Sequence, residues 1–155
     1  MPVIGTPRVF QKKFAFQVEI DQVASAAFTK CSSLEGEVAK VEQWEGGRLI
    51  PDKSPGRLTI SDVTLERGVA NGDSDLYEWW LDVVRMTANQ GLVSPLYKRP
   101  VDIIQMDRDQ TELKRWTLDN AWPTKFTAGD WDNTADENVV EMLVLTFDTF
   151  DKIKG

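Results

Sequence analysis

Residues 116–150, WTLDNAWPTKFTAGDWDNTADENVVEMLVLTFDTF, contain two strand-like runs separated by a polar loop. In the second run, Val139, Glu141, Leu143, Leu145 and Phe147 alternate with a set that is also mostly apolar, which predicts a strand covered on both faces. Glu141 is the only charged residue of that run and therefore needs a partner. A paired or edge-facing carboxylate fits this position better than a catalytic one.

The first run is interrupted by Pro123, which has no backbone N–H to give to a neighbouring strand. We therefore expect a corner at Trp122–Pro123, where the first strand ends. The loop between the runs carries Asp130, Asp132, Asp136 and Glu137, but it lacks the glycine and the terminal glutamate of a calcium loop. A solvated loop is the better interpretation.

The chain has 155 residues and a mass of 17.6 kDa, which is enough for one domain with a sizeable core, so 1–155 is predicted to be a single domain. The net charge is −7 and the pI is about 4.6. This balance argues against an outer surface that holds nucleic acid or anionic membrane. Passage of DNA along a like-charged wall remains compatible with it.

The chain contains no histidine, which excludes Ser-His-Asp and Cys-His catalysis and histidine metal sites. Its single cysteine, Cys31, cannot form an internal disulfide, and a small buried side chain is a better interpretation of it than an activated thiol. The first residues lack a signal-peptide pattern and no run approaches the roughly 18 apolar residues of a membrane span. We expect synthesis in a reducing cytoplasm, no membrane span, and no catalytic, cofactor or metal residues.

Residues 1–12 read as an extended arm, followed by a strand in which Phe14, Phe16, Val18 and Ile20 share one face. A second strand is expected within 23–31. The next strand, 35–44, carries charge on both faces, which suits a face that meets water in a channel better than a core. Residues 44–57 contain two prolines and a Pro-Gly pair and predict a projecting loop, with an ordinary surface hairpin as the equal alternative.

Residues 58–67 predict a strand with a bulge at Ser61–Asp62. The one convincing helix covers 74–88, and Trp79 lies at the edge of its apolar stripe. Members of that stripe are Leu76, Trp80, Val83, Val84 and Thr87. Residues 101–118 predict a hairpin, which brings the whole to about seven or eight strands and one helix.

Several motifs in this order resemble the tail tube proteins of contractile phages and the inner-tube proteins of phage-derived contractile injection systems. They are CSSLEGEVAKVEQWEGG from Cys31, LERG from Leu65, LYEWW from Leu76, RPVDI from Arg99, and W-x-L-D-N-A-W-P-T-K-F followed by NVVEMLVLTFDTF. The resemblance spans 14–150, with Ser33 standing where a glycine is typical of the family.

The resemblance implies a mainly β fold, a β-sandwich or split barrel with one flanking helix, whose copies form a continuous inter-subunit barrel in a hexameric ring. Such rings stack into a hollow conduit for DNA or effector proteins. The implied partners are further copies of the chain, a contractile sheath protein, baseplate and tube-terminator proteins, and cargo in transit. The implied role is structural rather than enzymatic, in a subunit made in the bacterial cytoplasm and assembled in a virion tail or phage-like particle. The alternative is a secreted ring of type VI secretion that carries effectors in its lumen.

Two sets of candidate residues follow from this resemblance. Candidates for ring stacking are Trp44, Arg48, Ile50, Asp52, Lys53, Arg57, Val3 and Arg8. Candidates for the lumen are Glu35, Glu37, Lys40 and Glu42, and with three Glu against one Lys they predict an acidic wall that does not hold acidic cargo. Which face of that strand points inward is left open by the alternation.

Overall fold

The computed structural model of the chain describes residues 10–21, 28–69, 74–88 and 97–155. The predicted mainly β architecture is confirmed, with nine strands and one helix in these residues. In chain order they are β1 Phe16–Ile20, β2 Phe28–Cys31, β3 Gly36–Gln43, β4 Asp52–Ile60, β5 Val63–Gly68, α1 Asp75–Thr87, β6 Arg99–Met106, β7 Glu112–Thr127, β8 Val140–Thr146 and β9 Phe150–Lys154.

Strand β7 organises the main sheet, because its 16 residues belong to both halves of it. Its first part lies between β6 and β9, with β1 beyond β6. Its second part pairs with β8, which is followed by β5 and β2. The two halves enclose one core, and no pairing between the described strands closes the sheet into a barrel.

The expectation that β7 ends at Trp122–Pro123 is wrong, since the strand continues to Thr127. The chain instead bends within the strand. Asn120 has a positive φ of 54°, a conformation that Asn tolerates better than most residues, and the pairing register shifts again just after Pro123. The missing N–H of Pro123 is accommodated at this irregularity, so the predicted corner is a bulge inside a continuous strand.

The helix packs on the sheet through Leu76, Trp79 and Val83, which are all buried. Trp79 is fully buried and its indole N–H donates to the Tyr97 carbonyl at 2.6 Å. The predicted apolar stripe was therefore wrong in two of its members. Trp80 is only half-buried and Val84 is exposed. Trp79 is the centre of the contact rather than its margin.

Three further expectations need correction. Phe14 is 71% exposed and lies before β1, which begins at Phe16. The irregularity at 61–62 is the point where the chain leaves the β3–β4 pair and enters the main sheet, so it separates two strands instead of forming a bulge in one. Strand β8 buries one face, whereas Val140 on the other face is 38% exposed.

Candidate assembly surfaces

The β3–β4 hairpin stands apart from the core. Every residue of β3 is exposed, and in β4 only Ile60 is not. The two strands pair only with each other among the described strands, and the hairpin meets the body at its base, where Ser61 N–H donates to the Glu35 carbonyl at 3.1 Å. Eight residues of strand extend about 25 Å, so the hairpin is a long projection without a core of its own. This explains the mismatch between its sequence and a buried strand.

The predicted projecting loop 44–57 is longer than the connection that the structure has. Residues 52–57 belong to β4, and Pro55–Gly56 lies in the strand instead of forming a turn. Glycine is favoured at position 56, because a Cβ would lie 3.0 Å from both the Ala39 carbonyl oxygen and Val41 Cγ2. The connection between the strands is therefore 44–51.

This connection, the hairpin tip, exposes three large apolar side chains. Leu49 is 95% exposed, Ile50 71% and Trp44 61%. Arg48 Nη1 donates to Asp52 Oδ2 at 2.8 Å across the base of the tip. Leu49 was not among the predicted stacking residues. The adjacent apolar residues Leu49 and Ile50 in a connection rich in Gly and Pro were the signal that could have identified it. Clustered exposed apolar groups on a projection mark a surface that another molecule covers.

The stacking candidates occupy two places. Trp44, Arg48 and Ile50 lie in the hairpin tip, and Asp52, Lys53 and Arg57 lie on β4 beside it. Val3 and Arg8 lie outside the described residues.

The lumen candidates do not share one face of the hairpin. Glu37 points to one side, whereas Lys40 and Glu42 point to the other and form an ion pair at 3.3 Å. Glu35 precedes β3, and its carboxylate accepts a hydrogen bond from the Ser33 hydroxyl at 3.0 Å. Strand β4 adds Lys53 and Arg57, so residues 36–60 carry four acidic and four basic side chains. The expected acidic surface of β3 is thus balanced by its partner strand.

A second exposed surface lies on the loop 128–139, which we call the Trp131 loop. Trp131 is 74% exposed. The loop is held by Asp132, whose Oδ1 accepts from the Thr134 backbone N–H at 3.0 Å and from its hydroxyl at 2.7 Å. These hydrogen bonds also keep the pKa of Asp132 below its usual value. The hydrogen bonds of Asp132 therefore form a local turn directly after the exposed Trp131.

A buried ion cluster joins the helix to the sheet. The Arg67 guanidinium on β5 pairs with Glu141 on β8 and with Asp75 at the start of α1, and it lies over the Phe28 ring. Burial alone would raise the pKa of Asp75, but the hydrogen bond and charge of Arg67 outweigh it and the pKa is lowered. Glu141 thus has the partner that its apolar strand requires, and the cluster occupies the core side of the sheet.

Several strands end the described sheets with an unpaired edge. In the main sheet these are β1, β2 and β9, and both strands of the hairpin also have one. An open edge offers backbone N–H and C=O groups to another strand. Cys31 lies on one of these edge strands, where burial raises the pKa of its thiol to about 11. The thiol therefore stays protonated at neutral pH and is a poor nucleophile.

Residues 12–151 match the family model described as T4-like virus tail tube protein gp19. Among solved structures, the chain is similar to the cap of the anti-feeding prophage tube, with 24% identity, a TM-score of 0.81, and 97% and 95% of the two chains covered. It is also similar to a chain of the sheath-tube complex of the extracellular contractile injection system PVC, with 22% identity, a TM-score of 0.77, and 98% and 95% covered. Hcp1 from Flavobacterium johnsoniae is more distant, with 15% identity, a TM-score of 0.58, and 92% and 97% covered. No curated protein sequence shows a significant match.

In the residues that the structure describes, no helix is both long and apolar enough to span a membrane.

Proposed function

We propose how this chain works from one premise: it belongs to the tail tube family of the T4-like virus protein gp19, and it is therefore a structural subunit of a tail tube. Six copies close into a ring, and the rings stack into a hollow conduit for DNA or effector proteins. The observation that carries this proposal is the β3–β4 hairpin, which is exposed on both faces and, apart from Ile60 at its base, takes no part in the core of its own chain.

The open strand edges support closure of a ring. Strands β1, β2 and β9 each leave one edge without a partner in the described sheets. Pairing between adjacent subunits would satisfy these backbone groups and remove edges that otherwise favour uncontrolled association. One face of each hairpin would then line the conduit, with either Glu37 or the Lys40–Glu42 pair toward the lumen.

The hairpin tip supports stacking of the rings. Leu49, Ile50 and Trp44 gain burial only when another molecule covers them. Arg48, Asp52, Lys53 and Arg57 surround this apolar tip with charges that can select a partner. Val3 and Arg8 are proposed to contribute from the first residues of the chain.

The remaining partners follow from the position of such a tube. A contractile sheath protein surrounds it, baseplate and terminator proteins close its ends, and cargo passes without specific binding. We propose synthesis in the bacterial cytoplasm, assembly into the tail or injection particle, and no catalytic activity. The more distant likeness to Hcp1 makes a type VI ring the second candidate, but the family match over 12–151 favours the contractile tail.

Cryo-electron microscopy of the purified full chain tests this proposal, with native mass spectrometry to count the copies in a ring. Rings of six subunits and stacks of such rings are expected. The proposal is overturned if the protein stays monomeric at high concentration and intact particles contain a tube made of another protein.

A further inference from the structure

The base of the β3–β4 hairpin and the Trp131 loop are attached to opposite ends of one strand pair. The hairpin joins the main sheet at the end of β5–β8 where Val63 faces Leu145. The Trp131 loop enters β8 at the other end, where Gly68 faces Val140. Six paired residues separate these ends by about 16 Å, and the hairpin projects from one of them. A single chain therefore carries one surface at each pole.

Two partly exposed valines lie at the same end of β5–β8 as the Trp131 loop. Val69 is 44% exposed and Val140 38%, and the Val69 N–H donates to the Val139 carbonyl at 2.9 Å, which holds this part of the surface together. The loop 128–139 contains four acidic residues and no basic one. An exposed aromatic side chain surrounded by polar and charged groups is a common composition of an interface centre and its rim.

At the hairpin pole, the apolar tip is flanked by basic side chains on β4. Arg57 is exposed and forms no ion pair within the described residues, and Lys53 is also exposed. The tip therefore offers Leu49 and Ile50 for apolar contact. The stem, which is balanced in charge overall, adds Lys53 opposite Glu42 near the tip and Arg57 further along β4. The Trp131 loop has an exposed indole and carboxylates but no basic side chain, so Lys53 and Arg57 supply the charge that the loop lacks.

We propose that the hairpin tip of one copy docks on the Trp131 loop of a copy in the next ring. Leu49 and Ile50 pack against the Trp131 indole, and Lys53 and Arg57 lie opposite the loop carboxylates. A contact between two different surfaces of the same chain can repeat from copy to copy, and between stacked rings it continues as an open stack. This inference rests on the proposed stacking and names the receiving surface.

Cross-linking of full-length tubes tests the contact. The Leu49→Cys, Trp131→Cys double variant is treated with a short bis-maleimide and separated on a denaturing gel. Because the two cysteines belong to different copies in each contact, a ladder of species larger than dimers is expected. All variants carry Cys31→Ala, so either single variant can join only like residues and gives dimers at most. The Cys31→Ala chain without a new cysteine is the background control.

A second control pairs Leu49→Cys with Arg85→Cys. Arg85 lies in the last turn of α1, far along the helix from Asp75 and the loop pole. No ladder is expected from this pair. A ladder equal to that of the Trp131 pair would overturn the inference, since it would show collision rather than docking.

A charge exchange provides a test that needs no new cysteine. Asp136→Lys with Glu137→Lys should shorten or abolish tubes while leaving rings intact, and adding Lys53→Glu with Arg57→Glu should restore them. If wild-type tubes form but the Trp131 pair gives no ladder and the loop charge variants assemble like wild type, this contact is wrong and the proposed function stands. If wild type forms neither rings nor tubes, both fail.

Discussion

Replacing Arg67 with Met removes the cation that links β5, β8 and the start of α1. The change leaves Glu141 and Asp75 without their shared partner, and Glu141 is 6% exposed. Loss of one member of a buried ion cluster lowers the free energy of unfolding by about 3–5 kcal/mol, because an uncompensated charge stays in the core. For a domain of this size, that loss lowers the melting temperature by roughly 6–20 °C.

Urea unfolding followed by far-UV circular dichroism measures this loss, provided that the variants are compared under conditions that prevent assembly. The matched control is Glu66→Gln on the same strand, whose ion pair with Lys30 spans 4.0 Å at the surface. That variant should stay within about 0.5 kcal/mol of wild type. Arg67→Met combined with Glu141→Leu should recover part of the loss, because a packed apolar pair can replace a buried ion pair.

A stabilising role for the buried cluster is refuted if Arg67→Met unfolds within about 1 kcal/mol of wild type, which is the scale of an exposed ion pair. It is also refuted if Glu141→Leu makes Arg67→Met less stable, because Glu141 would then stabilise the fold without Arg67.

Three further outcomes are expected. Trp79→Ala should lower the free energy of unfolding by about 3–5 kcal/mol and Trp80→Ala by much less, as measured in urea; equal losses would show that the helix is rotated from the described position. Leu49→Ser with Ile50→Ser should leave that free energy within about 0.5 kcal/mol of wild type but remove tubes from electron micrographs, and loss of folded protein would contradict an assembly role. The pKa of Cys31 is raised from 9.0 to about 11, so the folded chain keeps a proton that the unfolded chain loses. Stability should fall as the pH rises through this interval, and Cys31→Ala should flatten the curve; an unchanged slope would contradict the burial of the thiol.

Alternation and local turn chemistry were sufficient to predict most strands. Val18 and Ile20 face the core as the pattern indicates, and the exposed β3 follows from charges on both of its faces. The need for a partner at Glu141 was also evident, because a carboxylate in an apolar strand is costly to leave unpaired. The identity of its partners was not evident from the sequence, because long-range strand pairing and helix packing bring Arg67 and Asp75 to Glu141, and no local pattern encodes these contacts.

The errors have a common physical origin. Pro123 removes one hydrogen-bond donor, but whether this ends a strand depends on how the neighbouring strand pairs with it. Here the β7–β8 register shifts directly after Pro123, and the strand continues. Pro55–Gly56 is a frequent turn pair, yet both residues lie in β4, where the close approach of the Ala39 carbonyl oxygen favours glycine at position 56. The exposed tip and the Trp131 loop were both recognised as loops. Their place at opposite poles emerged only from the antiparallel pairing of β5 with β8.

The continuity of β7 also has a mechanical consequence. Because one strand runs through both halves of the sheet, a load applied to one half reaches the other through covalent backbone as well as through side-chain contacts. The bend at Asn120 is the place where this load changes direction, and β8 and β9 support it along the same edge of the strand. Within one subunit, the two halves of the sheet therefore cannot slide past each other without straining peptide bonds as well as side-chain packing.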